Sequence, residues 1–128
     1  MKKTLVFSMI IMILMAACKK DKTEASIMGK WTLVNFVSRG YQNGVITYNI
    51  DTPGGGTTID FQNNGIAIKT ELSGFTETWP YTIISKTKIQ LNGIMYDMQN
   101  LTNSSVALFH HEDTVPGEYF EIFQNLKR

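Results

Sequence analysis

Cysteine, histidine and proline are scarce in this chain of 128 residues, which carries one, two and three of them. A single thiol forms no internal disulfide, so the fold rests on its apolar core alone. No apolar run reaches the roughly 20 residues that a membrane-spanning helix requires; the longest, Leu5 to Ala17, has 13. Charge of neither sign dominates, with 12 Lys and Arg against 11 Asp and Glu, and no basic footprint for nucleic acid results. Also missing is any long stretch with the 3.6-residue period of an amphipathic helix.

The chemistry of catalysis is equally thin. A nucleophilic centre needs Ser or Cys beside a His with an orienting carboxylate, and His110 and His111 sit next to each other at one strand end. Adjacent strand residues point to opposite faces, so the two rings cannot chelate one ion, and Glu112 and Asp113 after them read as a polar loop. The glycine run Asp51-Thr52-Pro53-Gly54-Gly55-Gly56 lacks the Lys-Ser/Thr and helix of a phosphate cradle; it reads as a flexible turn and a lid candidate. Asp60 and Glu71 read as surface charge. The expectation is a protein that is not an enzyme and has no cofactor and no metal.

What is present begins at the amino terminus. Lys2 and Lys3, the short apolar run and an abrupt polar break at Lys19-Lys20-Asp21-Lys22 describe a secretory signal. Leu14-Met15-Ala16-Ala17-Cys18 resembles the lipobox of bacterial lipoproteins, with Met15 a small departure. That resemblance implies cleavage before Cys18 and acylation of Cys18, two or more acyl chains being enough for stable anchoring. The expected organisation is a signal peptide at 1–17, a lipidated cysteine and solvated tether at 18–26, and one domain at 27–128. Lys19 after the cysteine is similar to lipoproteins sent to the outer membrane, which places the domain in the cell envelope, facing the periplasm or the cell surface.

The remainder alternates between short β-rich runs and turn signals. Asn43-Gly44, Asn64-Gly65 and Asn92-Gly93 suit type I′ turns. Thr58 to Phe61 is read as returning through Asn64-Gly65 into Ile66 to Leu72. In that hairpin Ile59 and Phe61 face Ile66, Ile68 and Leu72, while Thr58, Asp60, Lys69 and Glu71 face water. Lys88 to Leu91 returns as Ile94 to Leu101, with Ile89, Leu91, Ile94, Tyr96 and Met98 as core. Trp31 to Ser38, Thr76 to Ile84, Val106 to His111 and Tyr119 to Asn125 add strands, and Val45 to Ile50 a short, irregular one. About eight strands at short intervals, joined by short loops, predict an antiparallel up-and-down eight-stranded barrel.

Gly29-Lys30-Trp31 at the head of the first strand resembles the Gly-x-Trp motif of the lipocalin superfamily. Ile59 to Gly65 is similar to a hairpin of short lipocalin-like domains in bacterial lipoproteins, and Met98 to Leu108 to a hairpin near their end. The resemblance runs from Ile27 onward. It implies that Trp31 plugs one end of the barrel and that a basic residue after the last strand stacks on it, for which Lys127 and Arg128 are the only candidates.

Two functions stay open at this point. Phe75, Trp79, Tyr81 and Ile83 share one parity, and with Phe61, Tyr96, Phe120 and Phe123 they either fill the barrel or line a calyx. In the first reading a lipid-anchored monomer holds a small apolar ligand among Phe61, Trp79, Tyr81 and Tyr96. In the second a filled barrel displays Tyr41 to Gly56 to a protein partner.

Overall fold

The computed structural model describes residues 24–128; the signal, Cys18 and most of the tether lie outside them. Nine strands follow one another: β1 (Gly29–Gln42), β2 (Val45–Pro53), β3 (Thr58–Phe61), β4 (Ile66–Thr70), β5 (Thr76–Ser85), β6 (Lys88–Leu91), β7 (Ile94–Gln99), β8 (Ser105–Val115) and β9 (Glu118–Lys127). Every pairing is antiparallel, and no helix occurs among the described residues.

Eight strands close into a barrel. From β3 to β9 each pairs with the next, and β1 completes the circle by pairing β3 along one edge and β9 along the other. Closure removes the open edges that a flat sheet leaves unpaired. The ninth strand, β2, adds to the upper part of β1, and its outer edge pairs with no strand among the described residues. β1 pairs β3 only over Gly29–Thr32, and then pairs β2 from Asn35 onward. With the long β8–β9 hairpin, the β1–β2 hairpin therefore rises past the barrel as a flared wall on one side. All nine residues of β2 are exposed, which is why this strand carries no inside–outside signal in its sequence.

The glycine run between β2 and β3 is tied to β1. Gly54 N–H donates to the Val34 carbonyl, Thr57 N–H to Gly54, and Leu33 N–H to the Thr57 carbonyl, each at 2.9 Å. A Cβ on Gly54 would stand 1.8 Å from the Leu33 carbonyl oxygen. The segment is a fastened crossing, which corrects its reading as a flexible lid.

One end of the barrel is sealed. Trp31 has no exposed surface, and its indole N–H donates to the Ile27 carbonyl at 2.6 Å. Arg128 lies over the ring, 4.0 Å from guanidinium carbon to ring centroid, and donates to the carbonyls of Ser26 and Met28. The stacking cation implied by the lipocalin resemblance is thus supplied by the last residue of the chain. Gly29 has φ +98°, a region side-chain-bearing residues rarely enter, and this lets the chain turn from the Ile27 plug into β1. Ile59, Phe61, Ile89, Leu91, Leu108 and Leu126 pack with Trp31 in the barrel core. This core lies wholly between Ile27 and Leu126 and its sheet closes on itself, so the described residues form one self-contained folding unit.

The first hairpin differs from its sequence reading. Asn43 and Asn92 adopt positive φ, as a two-residue type I′ turn requires, whereas Asn64 does not. Instead Gln62 N–H donates to the Ile66 carbonyl, and Phe61 pairs with Ala67. A longer turn moves every β4 side chain to the other face. Ala67 is fully buried beside Trp79, Lys69 stands opposite Ile59 inside the barrel, and Leu72 is 83% exposed. The expected inward row Ile66, Ile68, Leu72 is therefore overturned, and so is the outward placement of Lys69 and Glu71.

Candidate functional site

The sealed end fixes the opposite end as the open one. There β1 contributes Leu33 and Phe36, β3 Ile59, β4 Lys69, β5 Trp79 and β9 Gln124, and the crossing Thr52–Thr57 forms one rim. These groups surround a cavity of about 330 Å³. An adjoining recess of about 130 Å³ shares Trp79 and Gln124 with it and is bordered by Leu91, Ile94 and Tyr96.

Two polar residues are buried among the described residues, Thr57 and Gln124, and both line the larger cavity. A second cleft, of about 250 Å³, lies between the tips of the β1–β2 and β8–β9 hairpins and contains neither. Burying an amide costs free energy unless its hydrogen bonds are made, so Gln124 distinguishes the mouth from a surface crevice. Its inward direction follows from alternation along β9, where Ile122, Gln124 and Leu126 share a face. In register it lies between Phe36 of β1 and Leu108 of β8.

The Gln124 amide nitrogen donates to the Tyr96 hydroxyl at 3.1 Å. Burial pushes the Tyr96 hydroxyl above its ordinary pKa, partly offset by the Gln124 bond, so the ring stays neutral and keeps a proton to donate. Among the described residues, Lys69 supplies the one cation of the cavity wall. Its ammonium bonds Glu77 at 2.9 Å and Glu71 at 3.1 Å and lies 5.5 Å from the Trp79 centroid. The hydrogen bond to Glu77 foremost raises the Lys69 pKa against the opposing effect of burial, and the ammonium remains charged. The trio carries a net charge of minus one.

Of the four residues expected to bind ligand, the structure brings two to the cavities. Trp79 borders both, and Tyr96 the smaller. Phe61 and Tyr81 lie deeper, edge to face with centroids 5.3 Å apart, and the Tyr81 hydroxyl donates to the Gln62 carbonyl. Their burial makes them the floor beneath the site. His110 and His111 do face opposite ways: His110 packs against Tyr96 and Phe120, while His111 packs against Tyr119 and approaches Asp113 and Glu121. No group of three metal-ligating side chains assembles among the described residues.

Sequence reasoning missed Lys69, Glu71, Gln124, Leu33 and Phe36. Gln124 had a signal, being the polar interruption in the apolar row Phe120, Ile122, Leu126. Lys69 had none, because the β-branched Ile66 and Ile68 argue for the wrong face. No protein-family model matches the chain, and no curated protein matches it.

Proposed function

We propose that the protein is a lipocalin-like binding protein of the bacterial cell envelope, anchored through lipidated Cys18, that holds a small, largely apolar molecule in the mouth of its barrel. The observation that carries this reading is the cavity of about 330 Å³ with a buried amide in its wall. Small-molecule sites have this form, an apolar hollow of about 300 Å³ or more with a few polar groups fixed inside. The position of the tether supports the anchor. Glu24 pairs with Lys86 at 2.7 Å, and Ser26 accepts from Arg128, so the chain enters at the sealed end.

Residues 19–128, prepared without the signal and shown by circular dichroism to be β-rich, are the material for the test. N-Phenylnaphthylamine, an uncharged dye that brightens in apolar surroundings, should bind saturably. Trp79→Ala should abolish the enhancement while the sealed end, with Trp31, stays folded. A titration with no saturable signal removes the binding reading. For the anchor, globomycin should cause an uncleaved, unlabelled precursor to accumulate in cells fed a labelled fatty acid; unchanged size and labelling count against Cys18.

One observation favours the second reading. β2 exposes Val45, Ile46, Tyr48 and Ile50 on a strand with a free edge, within the Tyr41 to Gly56 segment. Exposed edges of this kind accept a further strand. If a protein partner is the function, Ile46→Lys with Ile50→Lys should abolish its recovery with the tagged protein from native membranes, and dye binding should be unaffected.

A further inference from the structure

Resting on the ligand reading above, we infer that the mouth selects an uncharged apolar molecule bearing a carboxamide-like group, and discriminates against carboxylates such as fatty acids. Two observations carry this. The first is hydrogen-bonding arithmetic at Gln124, which is 93% buried, its exposure being 7%. Its amide nitrogen reaches the Tyr96 hydroxyl, and among the described residues no group donates to its carbonyl oxygen and none accepts the Tyr96 proton. Both side chains border the smaller recess, so one acceptor and one donor stand side by side at its wall. A carboxamide complements that pair: its N–H donates to Gln124 and its carbonyl accepts from Tyr96. A carboxylate has only acceptors, and the Gln124 carbonyl would repel it.

The second observation is the charge at the rim. A buried carboxylate is costly unless it is paired, and the cavity's Lys69 is already bonded to Glu71 and Glu77. The surplus negative charge sits at the mouth, where it opposes the entry of an anion. Trp79, shared by both cavities and packed against Lys69, provides the apolar surface for the body of the ligand.

Competition for bound N-phenylnaphthylamine tests the inference on residues 19–128 near neutral pH, with decanamide and decanoate as ligands of one chain length. Decanamide should displace the dye at concentrations at least about tenfold lower than decanoate, a difference of about 1.4 kcal/mol. The double variant Glu71→Gln, Glu77→Gln frees Lys69 and should improve decanoate about tenfold relative to decanamide. Gln124→Leu, which substitutes an apolar side chain of similar size, should erase the preference for the amide, read as equal displacement by decanamide and decanoate. Equal displacement by the two ligands in the unaltered protein, or a double variant in which decanoate is unimproved, overturns the inference and leaves the binding reading standing. Failure of the dye to bind at all overturns both.

Discussion

Trp31 is enclosed by three contacts of different kinds: the carbonyl of Ile27, the apolar side chains of the core and the guanidinium of Arg128 across its face. Replacing a buried Trp by Ala costs about 3–5 kcal/mol, a large share of the roughly 5–15 kcal/mol of a small domain. Trp31→Ala should therefore be largely unfolded in mild urea. Arg128→Ala removes only the stacking cation and its carbonyl bonds, and should lower the urea midpoint by the equivalent of about 1–2 kcal/mol; an unchanged midpoint would mean that the terminal residue contributes nothing in solution. Gly54 offers a contrasting case at a single Cβ. There the clash is with the backbone of Leu33, whereas at Gly40 it is with the exposed ring of Tyr48, which can swing away. Gly54→Ala should cost about 1–3 kcal/mol by overpacking, and Gly40→Ala distinctly less, as read from the two melting temperatures.

Turns decide what the strands present. The dipeptide Asn-Gly occurs three times, and its chemistry was legible at Asn43 and Asn92, where positive φ makes a two-residue turn. At Asn64 the side chain instead accepts from the Ile66 N–H at 3.1 Å, and the longer loop reverses β4. Two local patterns competed there: apolar Ile66 and Ile68 favoured one face, and small Ala67 gave no counter-signal. The wide ring of Trp79 lies directly across from Ala67, leaving space only for a small side chain. Ala67→Leu should accordingly destabilise the barrel by about 1–3 kcal/mol, while Ile68→Thr on the half-buried outer face should cost less. A larger loss at Ile68 would restore the register read from sequence. The second hairpin was read in the correct register, since Ile89, Leu91, Tyr96 and Met98 are all buried; Ile94, expected in the same core row, is exposed and borders the smaller recess instead.

The closed barrel couples its parts through proton binding. Burial raises the hydroxyls of Tyr96, Tyr81 and Tyr41 above their ordinary value, and Lys69 is raised by its bond to Glu77. Each of these groups holds its proton more tightly in the folded chain than in the unfolded one. Their contribution to stability is therefore complete below the unfolded values near 10, and is lost as pH rises through the folded ones. Melting temperature should fall above pH about 10, and the fall should be shallower in Tyr96→Phe; an identical alkaline profile would remove Tyr96 from the account.

Alternating polar and apolar residues, punctuated by Asn-Gly and glycine, were sufficient to specify an antiparallel barrel, because a two-residue period is a local property of the chain, whereas the place of β2 outside the circle had no such signal. The Trp31 plug was expected from the resemblance of Gly29-Lys30-Trp31 to a known motif, and not from the alternation. Which polar groups share the hollow was settled elsewhere, by the length of one turn and by the register in which β9 meets β1. The turn is local but has no clear signal, the register relates residues far apart in sequence, and only closure of the sheet brings Lys69, Trp79, Tyr96 and Gln124 around adjoining hollows.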